Sequence, residues 1–177
     1  MNRIRFTKVR EVRSPLRSHS GDAGLDFYIP SHLTLSDMKV CNPELKQVEY
    51  VINPDKSIKI IKIQPHSKVL IPSGIRVLLE PKNSMLMAAN KSGISTQKGI
   101  IYSAEIVDSP YTGEVHIGLI NTTNKVVNFD VDSKAIQFIH VPIYLSTPEE
   151  ISNEAYEEEA KDWGTRGSDG FGSTDNE

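Results

Sequence analysis

Several short segments of the chain alternate apolar with polar residues. The alternation is clearest in residues 4–6, 58–60, 69–71, 115–119 and 136–138, where many of the apolar residues are β-branched. Clusters of Pro, Gly, Asn and Asp separate these segments. A period of two places alternate side chains on one face of a strand, so each segment predicts a strand with one buried face. Together they predict an all-β fold, an antiparallel sandwich or barrel.

Helical signals are few. Within the predicted core, only the stretch after Ser92 predicts a short helical turn, which argues against a doubly wound α/β sheet. Near the C-terminus, Thr147, Pro148 and Glu150 have the spacing of an N-cap, an N1 proline and an N3 glutamate, and an acidic stretch follows. This pattern predicts a short exposed helix that begins after Thr147.

Residues 36–62 predict an insertion in the pattern of strands. Apolar residues at positions 50–52 and 58–60 flank Asn-Pro-Asp-Lys at positions 53–56, which is a favourable turn sequence. We therefore expect an inserted hairpin. As an excursion between strands it should contribute little to the shared core, and it is a candidate surface for a protein partner.

The length of 177 residues and the hydrophobic content of 38% fit one compact domain. We assign this domain to residues 1–163. Residues 164–177 are rich in Gly, Ser, Thr and Asp, cannot bury much apolar surface and predict a mobile C-terminal arm. Trp163, just before the arm, is either a packing anchor for it or a surface aromatic.

Charge and cysteine content exclude several classes of protein. A net charge of -3 gives no global support for binding nucleic-acid backbones, and the N-terminal basic residues fit the solvated face of an edge strand. The single cysteine, Cys41, excludes an internal disulfide and a Cys-based zinc site and predicts a reducing cytoplasm, that of the host if the protein is viral. The five histidines lack metal-ligand spacing. We expect no membrane segment, because no apolar run approaches about 20 residues.

Three clusters carry residues suited to nucleotide chemistry. The arm offers an arginine, hydroxyls, unhindered amides and one aromatic ring in residues 166–174, which suit a phosphate and a base but also a disordered terminus. Residues 91–95 combine a cation, a hydroxyl and a glycine amide, which suit a phosphate or a capped turn. Residues 106–114 predict a hairpin that exposes a carboxylate and an aromatic ring, or simply a surface turn.

In this order, the clusters resemble the five motifs of the trimeric dUTPase family. Ala-Gly-Leu-Asp-Phe at residues 23–27 is similar to the first motif, residues 91–95 to the second and residues 106–121 to the third. Ala-Ile-Gln-Phe at residues 135–138 is a looser match to the fourth. Residues 166–174 match the fifth, R-G-x-x-G-F-G-S-T, without a break. The third and fifth motifs are the specific ones.

The resemblance implies a jelly-roll subunit of a homotrimer, with three sites at the subunit junctions. The implied reaction is hydrolysis of dUTP to dUMP and pyrophosphate. Asp108 would deprotonate the water that attacks the α-phosphorus, and Tyr111 would pack against the deoxyribose and exclude a ribose 2′-hydroxyl. Ser92 and the amide of Gly93 would stabilise charge near the α,β bridge.

Further roles follow from the same resemblance. Gln137 would contact the phosphates near the attacking water, and Asp26 would reach a Mg²⁺ ion through bound water. Other implied substrate-binding residues are Lys91, Ile106 and, in the arm, Arg166, Gly170, Phe171, Gly172, Ser173 and Thr174. Of these arm residues, Arg166, Ser173 and Thr174 would bind the γ-phosphate, while Phe171 would cover the uracil.

The chain departs from the family pattern at two charged positions. Lys91 replaces the usual Arg and loses its planar fork, and Ser133-Lys134 stands where Asp-Arg is frequent. Two other functions stay open: a dCTP deaminase of the same fold, and a nucleotide-sensing trimer that binds a protein. Asp108 with Tyr111 resembles the hydrolase version of the third motif, so we predict the hydrolase.

Overall fold

The computed structural model of the protein describes residues 2–42 and 48–164. In these residues, eleven strands and three helices follow one another along the chain. The strands are β1 Arg3–Lys8, β2 Gly24–Tyr28, β3 Val48–Ile52, β4 Ile58–Ile63, β5 Lys68–Glu80, β6 Ser84–Ala89, β7 Ile100–Tyr102, β8 Ile106–Asp108, β9 Glu114–Asn121, β10 Val127–Asp130 and β11 Lys134–Pro142. The helices are α1 Leu35–Cys41, α2 Ser92–Lys98 and α3 Asn153–Ala160. The prediction of an all-β fold is confirmed, since every alternating segment lies in a strand.

The strands form three sheets. Sheet A has the order β1-β5-β9-β7, sheet B the order β2-β11-β6-β8, and sheet C the order β10-β4-β3. All pairings between these strands are antiparallel. β1 lies at the edge of sheet A, where five of its six residues are exposed, as its alternation of basic and apolar residues predicts.

Alternate apolar side chains of the sheets form one buried cluster. In sheet B, Phe27 of β2 and Phe138 of β11 are both 1% exposed, and their rings meet edge to face with centroids 4.7 Å apart. In sheet A, Ile71 of β5 and Ile117 of β9 are fully buried and directly opposite each other. This inward packing leaves the intervening residues of sheet B on its outer face.

Residues 36–62 contain the predicted hairpin, but the expectation that they contribute little to the core is wrong. β3 pairs with β4, and β4 pairs in turn with β10. Met38, Ile58 and Ile61 are fully buried within the hydrophobic cluster. β4 lies between β10 and β3 in sheet C, and its residues Ile58, Ile61 and Ile63 are buried in the core.

Residues 145–164 belong to a second compact unit. α3 begins later than predicted: Ser152, not Thr147, is its N-cap, and the Ser152 hydroxyl accepts a hydrogen bond from the Ala155 amide. This bond satisfies a free amide of the first turn, which is what a capping residue does. Trp163 is 86% exposed. None of the helices in residues 2–42 and 48–164 has the length and apolarity needed to span a bilayer.

We predict that Ile61→Ala destabilises the protein by about 2–5 kcal/mol, because it leaves a cavity in the core. The control is Lys59→Ala on the same strand, where the side chain is exposed and the expected change is small. Denaturant unfolding measures both. Equal stability of the two variants would show that β4 is dispensable for the core.

Candidate active site

Asp26 lies at the centre of a charged cluster on sheet B. Its carboxylate is only 4% exposed and forms ion pairs with Lys91, through Oδ1, and with Lys134, through Oδ2 at 2.7 Å. The Ser18 hydroxyl donates to Oδ2 at 2.9 Å. A buried carboxylate is costly without partners, and here both of its oxygens have one. The cluster therefore joins predicted motifs one and two.

The partners of Asp26 keep it ionised. Burial by itself would raise the pKa of Asp26, but the contacts with Lys134, Lys91 and Ser18 outweigh burial and lower that pKa. The same contact raises the pKa of Lys134. The cluster thus holds one negative and two positive charges, a net positive environment suited to a phosphate chain.

Gln137 brings the fourth motif to the same place. On β11 it is directly opposite Asp26 of β2 on one side and Ala89 of β6 on the other. Its side-chain amide donates to the Asn90 carbonyl at 2.8 Å. A Cβ at Gly24 would collide with the side-chain carbonyl of Gln137, so the glycine of the first motif makes room for this side chain.

The second motif starts α2. Lys91 is the N-cap of this helix and makes no side-chain capping bond, since an ammonium group cannot accept a hydrogen bond from a backbone amide; it binds Asp26 instead. Ser92 and Gly93 form the first turn and are exposed, and there is open space around the position of a Cβ at Gly93. Amides at the start of a helix point outward and can donate to an anion.

Residues 108–114, which we call the inter-sheet loop, do not form the predicted hairpin. β8 pairs with β6 in sheet B, whereas β9 pairs with β5 and β7 in sheet A. The loop therefore connects two sheets. Asp108 ends β8 and accepts a backbone hydrogen bond from the Tyr111 amide at 3.0 Å. The Tyr111 hydroxyl donates to the Glu114 carbonyl at 2.9 Å, and Ile106 is 55% exposed.

Within one chain, the predicted residues form two separate groups. Asp108 is opposite Met85 of β6, whereas Gln137 is opposite Ala89 of the same strand. Both lie on the same face of sheet B, four residues of β6 apart, which corresponds to about 13 Å along the strand. The structure thus brings together Asp26, Lys91 and Gln137 and places Asp108 and Tyr111 elsewhere. Arg166, Gly170, Phe171, Gly172, Ser173 and Thr174 lie outside the described residues.

Two residues of the Asp26 cluster, Lys134 and Ser18, are not predicted from the sequence. Lys134 was noted only as a departure from the fourth motif, yet it holds the buried carboxylate of Asp26. The fourth motif often has an arginine at position 134, and Lys134 keeps its positive charge. This retained charge could have indicated a role for Lys134. Ser18 stands in a loop with no pattern to mark it.

Comparison with known proteins identifies the family. The profile of the dUTPase family matches residues 56–175, which is more than half of the chain. The chain belongs to the dUTPase family. The deoxyuridine 5′-triphosphate nucleotidohydrolase of Clostridium novyi is 27% identical over 162 residues, covering 90% of this chain and 89% of that protein. The enzyme of the same name from Buchnera aphidicola is 27% identical over 124 residues, covering 67% of this chain and 71% of its own length.

Solved structures confirm the fold class. A mutant dUTPase of Staphylococcus bacteriophage 80alpha, in a structure with dUpNHpp, superposes with a TM-score of 0.68 at 18% identity and covers 98% of this chain and 99% of its own. The native EIAV dUTPase has a TM-score of 0.59 at 16% identity, covering 85% of this chain and 98% of its own. The predicted dUTPase-like architecture of the subunit is therefore confirmed.

We predict that Asp26→Asn lowers stability by about 1.5–3 kcal/mol at pH 7, because it removes charge-assisted hydrogen bonds from a buried site. Since folding lowers the pKa of Asp26, this contribution is present above the unfolded pKa of about 3.9 and is lost as pH falls through the lower folded value. The difference in the free energy of unfolding between parent and variant should therefore decrease below about pH 4.

The control is Asp132→Asn, which removes a more exposed pair with Arg13. Its effect should be much smaller at every pH, because exposed ion pairs contribute little. Chemical denaturation between pH 2 and 8 provides the measurement. If the free energies of unfolding of the parent and of Asp26→Asn differ by the same amount at every pH, the role of the charged carboxylate is contradicted.

Proposed function

We propose that this chain hydrolyses dUTP to dUMP and pyrophosphate. The observation that carries the proposal is the family match together with the placement of its motifs on sheet B. Motifs one, two and four meet around Asp26, and the third forms the inter-sheet loop. The named relatives are deoxyuridine triphosphate nucleotidohydrolases, and the 80alpha relative is in a structure with dUpNHpp, a name that describes a deoxyuridine nucleotide.

Asp108 is the proposed general base. It ends an edge strand of sheet B and is exposed. Among the described residues, no side chain forms an ion pair or hydrogen bond with its carboxylate, so both oxygens are available to a water molecule. A carboxylate that accepts a proton from water during attack on phosphorus is the simplest way to make the nucleophile. The inter-sheet loop fixes its backbone through the Tyr111 amide.

Tyr111 and Ile106 are proposed to contact the nucleoside. The Tyr111 ring is 45% exposed, while its hydroxyl is held by the Glu114 carbonyl. A ring fixed at its far end presents a rigid face to a sugar. Rigid contact would discriminate dUTP from UTP, because a 2′-hydroxyl would need space that the ring occupies.

The phosphate chain is proposed to bind near Asp26, Lys91 and Gln137, the other of the two groups of site residues. Ser92 and Gly93 offer a hydroxyl and an amide at the start of α2, Gln137 offers an amide group nearby, and Lys91 supplies charge. These groups would stabilise the charge that develops as pyrophosphate leaves. Roles for Arg166, Ser173, Thr174, Gly170, Phe171 and Gly172 of the arm remain proposals from their motif, as do the arm's boundaries at residues 164–177.

The donor set fits a Mg²⁺ ion carried by the substrate. Among the described residues, no group of three His, Cys, Asp or Glu side chains could hold a metal. Mg²⁺ keeps several waters and binds phosphate oxygens readily, so it would be held mainly by the triphosphate. Asp26 could contribute only through water, since Lys91 and Lys134 hold its oxygens. The ion would neutralise phosphate charge. For a mutant dUTPase of phage phi11, the coordination of a structural Mg(II) ion is described.

We propose a homotrimer with shared sites, as the resemblance to the dUTPase family implies, and the separation of the two groups of site residues within one chain supports the sharing. Along β6, about 13 Å separates the residue opposite Asp108 from the residue opposite Gln137. This is too far for both side chains of one chain to act on the same α-phosphate. Closed symmetric assembly would bring Asp108 of one chain to Gln137 of another. The single cysteine, Cys41, is unpaired and supports a reducing cytoplasm as the location.

We predict that Asp108→Asn lowers dUTP hydrolysis roughly 10²- to 10⁴-fold while nucleotide binding is kept, because an amide holds water but takes no proton. The control is Asp130→Asn at another exposed carboxylate. Pyrophosphate and ammonia release from dUTP, UTP, dTTP and dCTP, with and without Mg²⁺, are measured. Ammonia from dCTP would favour the deaminase, and activity of Asp108→Asn within a few-fold of the parent would remove Asp108 as the base.

A second prediction tests the sharing of sites between chains. Asp108→Asn and Gln137→Ala variants should each be nearly inactive, but each mixed trimer should recover one of its sites, the one with an intact Asp108 from one chain and an intact Gln137 from its neighbour, which is about a quarter of all sites in a random equal mixture. The measurement is hydrolysis after co-expression of the two variants. Mixed trimers without recovered activity would place both residues in one chain's site.

A further inference from the structure

The inter-sheet loop is attached to sheet A through the side chain of Glu114. One oxygen of this carboxylate, Oε1, accepts hydrogen bonds from the Gly74 amide at 2.6 Å and from Arg10 Nε at 2.8 Å. The other, Oε2, accepts from Arg10 Nη2 at 3.2 Å. The Glu114 side chain is 17% exposed and the Arg10 side chain 25%. A two-point arginine contact of this kind fixes direction as well as distance.

Arg10 also holds the first helix of the insertion. Its Nη1 donates to Asp37 Oδ1 at 2.6 Å. The second oxygen of Asp37 accepts from the amide and hydroxyl of Thr34, which closes the capping box of α1. α1 is in turn anchored by the fully buried Met38. Arg10 thus joins α1, at one side, to the end of the inter-sheet loop at the other.

The backbone of β5 is shaped to complete this contact. The register between β5 and β9 shifts between Pro72 and Arg76, which indicates a bulge. Gly74 within it has φ of 73°, and a Cβ there would lie 2.9 Å from Val12 and 3.0 Å from Arg10. A side chain would therefore be strained and crowded at this position. The bulge directs the Gly74 amide to Glu114.

A second arginine secures the tip of the loop. Arg76, immediately after the bulge, donates through Nε to the Thr112 carbonyl at 2.6 Å. The Tyr111 hydroxyl donates to the carbonyl of Glu114 itself, and the Tyr111 amide donates to Asp108. Glu114 is therefore linked to the Tyr111 hydroxyl, and Tyr111 to the backbone carbonyl of Asp108.

Two members of the cluster, Arg10 and Asp37, have pKa values shifted toward their charged forms. The hydrogen bond with Glu114 is the largest influence on Arg10 and raises its pKa, against a smaller lowering by burial. Burial would raise the pKa of Asp37, but the hydrogen bonds with Thr34 and Arg10 lower it overall. Both pKa shifts favour the charged forms of Arg10 and Asp37, which form the ion pair that attaches Arg10 to α1.

We propose that Arg10 is a positioning residue, which through Glu114 sets the placement of Asp108 and Tyr111 for the reaction. The inference rests on the proposed function of these two residues. Arg10 contacts neither Asp108 nor Tyr111 and acts through the inter-sheet loop. Its position also gives the insertion a part in the active site, since α1 holds the guanidinium from the other side.

The test compares Arg10→Gln with Arg13→Gln. Arg13 lies on the same connection and pairs with Asp132, with Nε 2.8 Å from Oδ1, but is not bonded to the inter-sheet loop. We expect Arg10→Gln to lower kcat/KM for dUTP about 10²-fold, as misplacement by about 1 Å does. The ratio of kcat/KM for dUTP over UTP should fall as well. Arg13→Gln should leave both quantities within about 3-fold of the parent, as expected for an exposed pair.

Two further variants separate positioning from stability. Glu114→Gln keeps an oxygen for the Gly74 amide but removes the charge, so it should reproduce the loss of dUTP over UTP discrimination if Arg10→Gln does not fold. Asp37→Asn leaves the contact between Arg10 and Glu114 and should give a smaller loss. Thermal melting is recorded for every variant, because a purely structural role would lower the melting temperature and leave the discrimination ratio unchanged.

Hydrogen exchange at the Tyr111 amide gives a readout that does not need activity. Its protection should fall in Arg10→Gln and in Glu114→Gln and stay at the parent level in Arg13→Gln. Unchanged protection, or an unchanged dUTP over UTP ratio in folded Arg10→Gln, overturns the positioning role. A parent that does not hydrolyse dUTP overturns the proposed function instead, and the exchange measurement still decides whether Arg10 fixes the loop.

Discussion

The burial of Phe27 against Phe138 fixes the register on which the candidate site depends. Both rings are in the core, so β2 and β11 can pair only with these residues on the inner face. The intervening residues, Asp26 and Gln137, are then directly opposite each other on the outer face. A slip by one residue would exchange the faces and put the carboxylate in the core. Hydrophobic packing thus decides which polar groups meet.

Two charged clusters hold the proposed functional segments to this framework. Asp26 is nearly buried and pairs with two lysines, while Glu114 is partly buried and pairs with Arg10 and a backbone amide. Such contacts are specific because removing one partner leaves a charge without solvation. In the first cluster the segment held is the start of α2, and in the second it is the inter-sheet loop. Each proposed half of the site therefore has its own electrostatic anchor.

The insertion is a structural part of this protein. Its strand β4 contributes Ile58 and Ile61 to the core, and its helix α1 meets Arg10 through Asp37. The segment that the sequence pattern predicts to be an insertion thus contributes to the packing of the core. It also supports the proposed positioning of Asp108. Its exposed positions, such as Val40 at 84%, remain the candidate surface for a protein partner.

The sequence by itself determined the all-β class, the strands with clear apolar alternation and the family, because these follow from local alternation and from short motifs. It also located Asp26, Lys91, Gln137 and Asp108 along the chain. Only the tertiary structure showed that residues 108–114 connect two sheets, that Lys134 holds Asp26 and Arg10 holds Glu114, and that β4 belongs to the core. These features depend on contacts between residues far apart in sequence, such as Arg10 with Glu114. A local pattern carries no information on such a contact, because strand pairing and packing bring its partners together.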